Sequence, residues 1–307
     1  MMLEVLLQMA GLILCGIGWR WLEPAGLAPV QTRKVLTSLV YYLLLPALVL
    51  SVLWEAELGD TTVLIALSAA FAVFTGFLLS SLFCRVCKAR PAVRGAVILA
   101  ATFPNVTYLG LPVLEATFGP WARGVAIQFD LFACTPLLFT LGVLIAARYG
   151  TAAVGGHNMT RELLRIPALW AAFLAVSLNL LELEMHTLLA GVLGMLERGV
   201  VPLMLISLGL SLEWNKAQWG KLPTVVPVLL LRLLLIPALV ALFASATGLS
   251  GELRAAVVME AAMPSMVLGI VFCDRYDLDV GLYATTVTVT TVLSLVTLPL
   301  WYGWLLG

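Results

Sequence analysis

Uninterrupted apolar runs dominate the hydrophobicity pattern of the chain. Most runs reach about 20 residues or more, the length that an α-helix needs to cross a lipid bilayer. A transmembrane β-barrel would instead show short strands of alternating polarity. The pattern therefore predicts an all-α membrane protein with ten transmembrane helices, at 3–21, 35–54, 62–84, 92–118, 122–147, 163–181, 187–212, 221–247, 253–273 and 280–305.

The composition agrees with the pattern. Of 307 residues, 62% are hydrophobic and 11% are charged, whereas a soluble domain is about half apolar and about a quarter charged. Lys+Arg and Asp+Glu balance at 17 each, so no basic excess is available to follow a nucleic-acid backbone. The expected partners are the lipid bilayer and a small solute, and no nucleic acid.

The sequence carries no signature of an enzyme. The two histidines, His157 and His186, fall in predicted loops, and no HExxH pattern, nucleophile elbow or phosphate loop occurs. The pair Cys84 and Cys87 lacks the two further nearby ligands that a zinc site needs. We therefore expect that the protein is not an enzyme, and that it has no metal centre and no cofactor other than a coupling ion, H⁺ or Na⁺.

Basic residues predict the orientation, because cytoplasmic loops of membrane proteins carry an excess of Lys and Arg. The opposite side carries the acidic loops 55–60 and 182–186. The rule predicts a multi-pass protein of the cell (inner) membrane with both termini outside. The cytoplasmic side holds 13 of the 17 basic residues: Arg20, Arg33, Lys34, Arg85, Lys88, Arg90, Arg94, Arg148, Arg161, Arg165, Lys216, Lys221 and Arg275.

The chain divides into two halves of five helices each. The longest connection, the glycine-rich cytoplasmic loop 148–162, separates 1–147 from 163–307. An odd number of helices in each half means that the second half enters the membrane from the opposite side. An inverted repeat requires this arrangement.

Segments four (92–118) and nine (253–273) support the repeat. Arg94 precedes Pro104 by ten residues in segment four, and Arg254 precedes Pro264 by ten residues in segment nine. The two segments therefore superpose at an offset of 160 residues.

The two matched prolines predict interrupted helices, because proline lacks an N–H donor and clashes with the preceding turn. Asn105 and Ser265 follow the prolines, and both residue types favour the N-cap of a restarting helix. The positive end of a half-helix suits an anion. Two such breaks predict a substrate site near the midplane, although packing kinks alone are the alternative. The predicted substrate ligands are Pro104, Asn105, Thr107, Pro264 and Ser265.

Three ionisable residues fall at membrane depth, where charges are costly and mark function or pairing. Asp130 and Glu260 are candidates to take up a coupling proton or sodium ion. Arg232 either holds a substrate carboxylate with its two-pronged guanidinium or neutralises one of these two acids as a structural pair. The sequence leaves both roles open.

Segment ten carries a run of hydroxyl residues. Thr286 and Thr290 lie four positions apart, on one helical face. Their hydroxyls either help to coordinate a coupling cation or serve as small contacts between helices, a common use of Thr in membranes.

The stretches FPNVTYLGLPVLEATFG (103–119) and MPSMVLGIVFCDRYDLDVGLYATTVTVTTVLSLVTLPL (263–300) resemble the two signature regions of the auxin efflux carrier family. That family includes bacterial transporters assigned to malonate and related organic acids, and the plant PIN-type auxin exporters. The most specific element is N-x-x-x-x-G-x-P, formed by Asn105, Gly110 and Pro112.

The resemblance implies a fold and a site. The fold is two inverted five-helix repeats, in which helices one, two, six and seven form a scaffold and the others a transport domain. Helices four and nine cross at their prolines. The resemblance also places anion binding at Pro104, Asn105 and Pro264, and suggests a homodimer through the scaffold helices.

The sequence thus predicts a secondary transporter of a small organic anion, such as malonate or an auxin-like acid, that works by elevator-type alternating access. One alternative is a sodium-coupled symporter of the bile-acid type. Glu260 in MEAAMPS resembles the acidic residue of that sodium site, but Pro264 replaces a polar residue expected there. The other alternative is a non-transporting membrane receptor, for which no cytoplasmic signalling segment is visible.

Overall fold

The computed structural model describes residues 2–56, 58–151, 164–212 and 220–307, and the side chains from residue 7 onward. Within these ranges the chain is helical, with no β-strand. The helices are α1 (Met2–Leu22), α2 (Pro29–Trp54), α3 (Asp60–Val86), α4 (Pro91–Thr102), α5 (Val106–Phe118), α6 (Ala122–Tyr149), α7 (Pro167–Leu180), α8 (Thr187–Ser211), α9 (Leu222–Ala246), α10 (Gly251–Ala261), α11 (Gly269–Arg275) and α12 (Val280–Leu306).

Every predicted apolar segment contains helix, and the all-helical fold class is confirmed. Six helices, α2, α3, α6, α8, α9 and α12, are long and apolar enough to cross a bilayer, while α1, α4, α5 and α7 offer shorter apolar stretches. The largest difference from the predicted bounds is the start of α2 at Pro29, six residues before the predicted start. Proline fits there because the first residue of a helix needs no N–H donor.

Four helices contain a wide π-type turn that ends two residues before a proline. Proline forces this local opening, because its ring clashes with the carbonyl four residues earlier and it donates no hydrogen bond. The turns and their prolines are Val40–Leu44 with Pro46, Val106–Gly110 with Pro112, Asp130–Cys134 with Pro136, and Leu231–Leu235 with Pro237.

A carbonyl that proline releases inside the membrane needs another donor, because no water reaches it there. In α9, Pro237 releases the carbonyl of Leu233, and the indole Nε1–H of Trp301 donates to that oxygen at 2.8 Å. The turn in α9 is therefore held from α12.

The helices pack in two groups. One comprises α1, α2, α7 and α8, and the other comprises α3, α4, α6, α9, α10 and α12, while α5 contacts both. The backbones of α1 and α8 touch: a Cβ atom on Gly16 would lie 2.2 Å from the carbonyl oxygen of Ile206. A Cβ atom on Gly209 would lie 2.0 Å from the carbonyl oxygen of Ile13. Such close crossings need small residues.

The outer faces of these helices carry many exposed large apolar side chains, such as Leu82 in α3, Phe173 in α7, Leu242 in α9 and Leu300 in α12. Continuous apolar surface of this kind does not suit water. It suits the hydrocarbon of a bilayer, and the fold is that of a multi-pass membrane protein.

Candidate functional site

The two interrupted helices meet at their breaks. The first break lies between α4 and α5, and the second lies between α10 and α11. The N–H of Asn105 donates to the carbonyl of Pro264 at 2.8 Å, and the N–H of Met266 donates to the carbonyl of Phe103 at 3.0 Å. The breaks thus satisfy each other's backbone groups in a buried region, where an unpaired group would be costly.

Ser265 holds the crossing from three directions. It forms an isolated antiparallel bridge with Pro104, and its Oγ–H donates to the carbonyl of Ala100 at 2.8 Å. Its N–H donates to Oγ1 of Thr290 at 3.2 Å, and that hydroxyl donates to the carbonyl of Thr286 in its own helix at 2.7 Å. Thr290 therefore connects α12 to the second break.

Asn105 occupies the N-cap position of α5, as expected, and its main-chain oxygen accepts from the N–H of Gly110 at 3.0 Å, but its side chain makes no capping hydrogen bond. The capping role expected of Ser265 is wrong. Ser265 lies four residues before the start of α11 at Gly269. The reason is that the two breaks pair with each other, so Ser265 faces α4 rather than the start of α11.

A cavity of about 90 Å³ lies beside the first break, and Asn105, Thr107 and Asp130 are among its lining residues. Asn105 is only 1% exposed, and its Nδ2 atom has no hydrogen-bond partner within the described parts of the chain. A buried donor without an acceptor costs free energy. A residue with an unsatisfied donor therefore lines the cavity.

Asp130 also lines this cavity and accepts two threonine hydroxyls. Thr107 donates to Oδ2, and Thr135 donates to Oδ1 at 2.8 Å. Sequence reasoning missed Thr135, because residues five apart do not share a face of a regular α-helix. The wide turn Asp130–Cys134 brings the two together, and Pro136 was the available signal for that turn.

Glu260 is fully buried at the end of α10. Neither carboxyl oxygen has a hydrogen-bond partner among the residues that the structure describes. The carboxyl group occupies the space left by Gly110, since a Cβ atom there would lie 2.2 Å from Oε2. An ionised carboxylate without partners is very costly in such a place, so this group suits a bound proton or cation.

Arg232 is also fully buried. Its Nη1 donates to the carbonyls of Ala101 at 3.1 Å and Thr102 at 3.3 Å, and its Nη2 donates to the carbonyl of Ala261. These carbonyls end α4 and α10. The predicted pairing with a buried acid is not observed: in the described ranges no ion pair joins the guanidinium to a carboxylate.

Residues 5–302 match the family described as membrane transport protein. The chain belongs to this family. It is 32% identical over 303 residues to an uncharacterized transporter of Methanothermobacter thermautotrophicus, covering 97% of this chain and 96% of the relative. It is 26% identical over 244 residues to a probable auxin efflux carrier component of Oryza sativa, covering 66% of each. The resemblance to auxin efflux carriers is confirmed.

Another relative of this membrane transport protein is an uncharacterized transporter of Methanocaldococcus jannaschii. It is 24% identical over 291 residues and covers 92% of each chain. Family and relatives are transporters, so the chain is a membrane transporter and not an enzyme.

Larger cavities of about 540 and 620 Å³ flank an ion-pair cluster elsewhere on the transporter. Arg123 lies between two carboxylates, with Nε 3.3 Å from Oε1 of Glu115 and Nη1 3.0 Å from Oε1 of Glu197. Arg123 and Glu115 belong to α6 and α5, whereas Glu197 belongs to α8. The cluster therefore ties the two packing groups together.

The predicted site residues of the transporter form two groups, which differ in whether they line the 90 Å³ cavity or build the crossing. One group lines the cavity and consists of Asn105, Thr107 and Asp130. The other builds the crossing and its surroundings and consists of Pro104, Arg232, Glu260, Pro264, Ser265, Thr286 and Thr290.

Proposed function

We propose that this transporter moves a small organic anion and binds it in the cavity beside the first break. The observation that carries the proposal is Asn105, which lines the cavity and whose buried Nδ2 has no hydrogen-bond partner in the described chain. Asn105 also precedes the first turn of α5, where the helix dipole is positive. A carboxylate placed here accepts from the amide and interacts favourably with the helix end.

The size of the cavity supports a small substrate. Its volume is about 90 Å³, compared with the roughly 10–15 Å³ that a cavity needs in order to hold one water molecule. A short acid such as malonate suits that space better than an aromatic, auxin-like acid. The rest of the lining is largely apolar, including Leu131, Leu138 and Phe139, which suits the carbon chain of the acid.

We propose that protons couple the transport. An ionised Asp130 would repel a carboxylate bound in the same cavity, so substrate and proton are expected to bind together. Glu260 provides a second proton site, since its carboxyl group is buried without partners in the described chain. Sodium is the rival coupling ion at Glu260.

We propose an elevator-type mechanism because the helices pack in two groups. The group α1, α2, α7 and α8 would be the scaffold, and the group with the crossing would be the moving domain. The proposal includes two inverted repeats, 1–147 and 163–307, both termini outside the cell membrane, and dimerisation through the scaffold. Cross-linking of cysteines placed on α1 or α7 of two copies tests the dimer.

Proteoliposomes on a solid-supported membrane test the function. Malonate, other short carboxylates and indole-3-acetate are added in turn, with and without sodium, at two pH values. We expect a current with malonate that persists without sodium and changes with pH. Because electroneutral exchange is silent, tracer uptake accompanies the currents. The proposal is contradicted if no carboxylate gives either a current or uptake. Strict dependence on sodium would mean that sodium, rather than the proton, is the coupling ion.

A further inference from the structure

We propose that Arg232 is a positioning residue that clamps both interrupted helices at their crossing. One guanidinium donates to the carbonyl ends of α4 and α10. The clamp fixes the two breaks relative to each other, so that the substrate site keeps its shape when it moves. This inference deepens the proposed function, and its principal test does not depend on transport.

The ends of interrupted helices create the need for such a clamp. The last carbonyls of a helix have no partner within the helix, and in the membrane no water supplies one. The same ends carry a partial negative charge. Two of them meet at the crossing, where a single fully buried cation, Arg232, supplies donors to both.

Arginine is suited to this position because its planar guanidinium offers five donors in a fixed geometry. Nη1 reaches the end of α4 through Ala101 and Thr102, while Nη2 reaches Ala261 at the end of α10. A lysine ammonium is a compact point charge, which fits one helix end better than two.

The local structure of α9 holds the arginine in place. Arg232 lies in the wide turn Leu231–Leu235 that Pro237 imposes. Trp301 of α12 holds the same turn by donating to the carbonyl of Leu233. The clamp is thus built into a helix that neither breaks nor lines the cavity.

The clamped carbonyls adjoin the residues of the site. Thr102 is three residues from Asn105, and Ala261 is three residues from Pro264. Arg232 itself is not among the residues that line the cavity. Its action on the substrate is therefore indirect, through the backbone of both breaks.

Hydrogen–deuterium exchange on the full chain in lipid nanodiscs tests the clamp. The readout is the exchange of peptides that cover 100–110 and 258–270, which contain both backbone hydrogen bonds of the crossing. In Arg232→Met we expect exchange at both breaks to be about tenfold faster, the size expected for losing a charge-assisted hydrogen bond. In Arg232→Lys we expect an intermediate effect, and hence partial rescue.

Two controls separate the clamp from other roles. Trp301→Phe removes a donor from the turn of α9 that carries Arg232 but leaves the guanidinium present, and should raise exchange at both breaks less than Arg232→Met does. Glu260→Gln removes the charge of a buried acid. It should reproduce the faster exchange of Arg232→Met only if an ion pair between Arg232 and Glu260, rather than the carbonyl contacts, holds the crossing. Wild-type exchange at both breaks in Arg232→Lys and Arg232→Met overturns the clamp, as does a Glu260→Gln variant that matches Arg232→Met.

If Arg232→Met does not fold, Arg232→Lys alone decides: unchanged exchange at both breaks overturns the proposal. Uptake of malonate adds a functional readout. A displaced site raises KM, so we expect Arg232→Lys to raise KM more than it lowers kcat. Failure of all carboxylates in the uptake assay contradicts the proposed substrate but leaves the exchange result standing.

Discussion

Asn105 and Glu260 share an arrangement that a soluble core rarely tolerates: each is buried, and each leaves a polar side-chain atom without a partner in the described chain. Such atoms cost about 1–3 kcal/mol when neutral and more when charged. The cost is sustained because the structure around them is fixed by other contacts, such as the backbone hydrogen bond from Asn105 to Pro264. Binding of an anion at Asn105 and of a proton at Glu260 would remove this free-energy cost.

Replacement of Asn105 by Ala tests the substrate role. Loss of a hydrogen bond to a charged ligand corresponds to about 10- to 100-fold in affinity, so we expect KM for malonate uptake to rise by that factor. Thermal stability should not fall, because the variant also removes an unpartnered buried donor. Wild-type uptake by Asn105→Ala removes this residue from the site.

Gly110 is expected to be intolerant of a side chain. In Gly110→Ala the new Cβ would lie 2.2 Å from Oε2 of Glu260, so the carboxyl group has to move within a packed interior at a cost of about 1–3 kcal/mol. Thermal unfolding in detergent measures this.

Gly124→Ala is the matched control for that substitution, because its Cβ would meet Nε2 of Gln128 only at 3.8 Å. Equal melting temperatures for the Gly110 and Gly124 variants would contradict the packing of Glu260 against Gly110. A reduced cost of Gly110→Ala in a Glu260→Ala background would support it.

The sequence predicted the positions of the helices and of the two breaks, but it missed contacts that depend on irregular turns. Long apolar runs located the helices because membrane-spanning helices must be continuous and apolar. Matched prolines located the two breaks. The contact of Thr135 with Asp130 was missed because a wide turn is not visible in a regular helical pattern.

The carbonyl contacts of Arg232 were missed for a different reason. The helix end at Ala101 lies 131 residues away from Arg232, and only the folded chain brings the two together. No local pattern of residues indicates such a meeting.

The crossing of α1 and α8 gives a prediction about elements. Gly16→Ala would place a Cβ 2.2 Å from the backbone oxygen of Ile206, and backbone cannot move aside without separating the helices. We expect a loss of about 1–3 kcal/mol in stability, measured by thermal unfolding. Gly11→Ala in the same helix meets nothing within 4 Å and should be neutral. A neutral Gly16→Ala would show that the helices are further apart.

For the whole molecule, the two packing groups have to move past each other if transport follows the proposed mechanism. The Arg123–Glu197 ion pair joins the groups and must then break and re-form in each cycle. Arg123→Glu places a third carboxylate between Glu115 and Glu197, and we expect it to reduce malonate uptake about fivefold.

Charge reversal gives the control for that prediction. Arg123→Glu combined with Glu197→Arg restores an opposite-charge pair between α6 and α8, and should recover part of the lost uptake. Recovery would support a contact that matters during the cycle. If the double variant is no better than Arg123→Glu, the pair has no role in the movement.

The wide turns have a consequence for how the family varies. A π turn contains one residue more than an α-helical turn, so it advances the angular phase of everything after it by about 100°. In α2, α6 and α9 the residues before and after the turn therefore point in directions that a regular helix would not combine. Single-residue deletions just before these prolines would rotate the remainder of each helix. Where a relative has lost one of these prolines, its alignment with this chain should show a one-residue gap beside it.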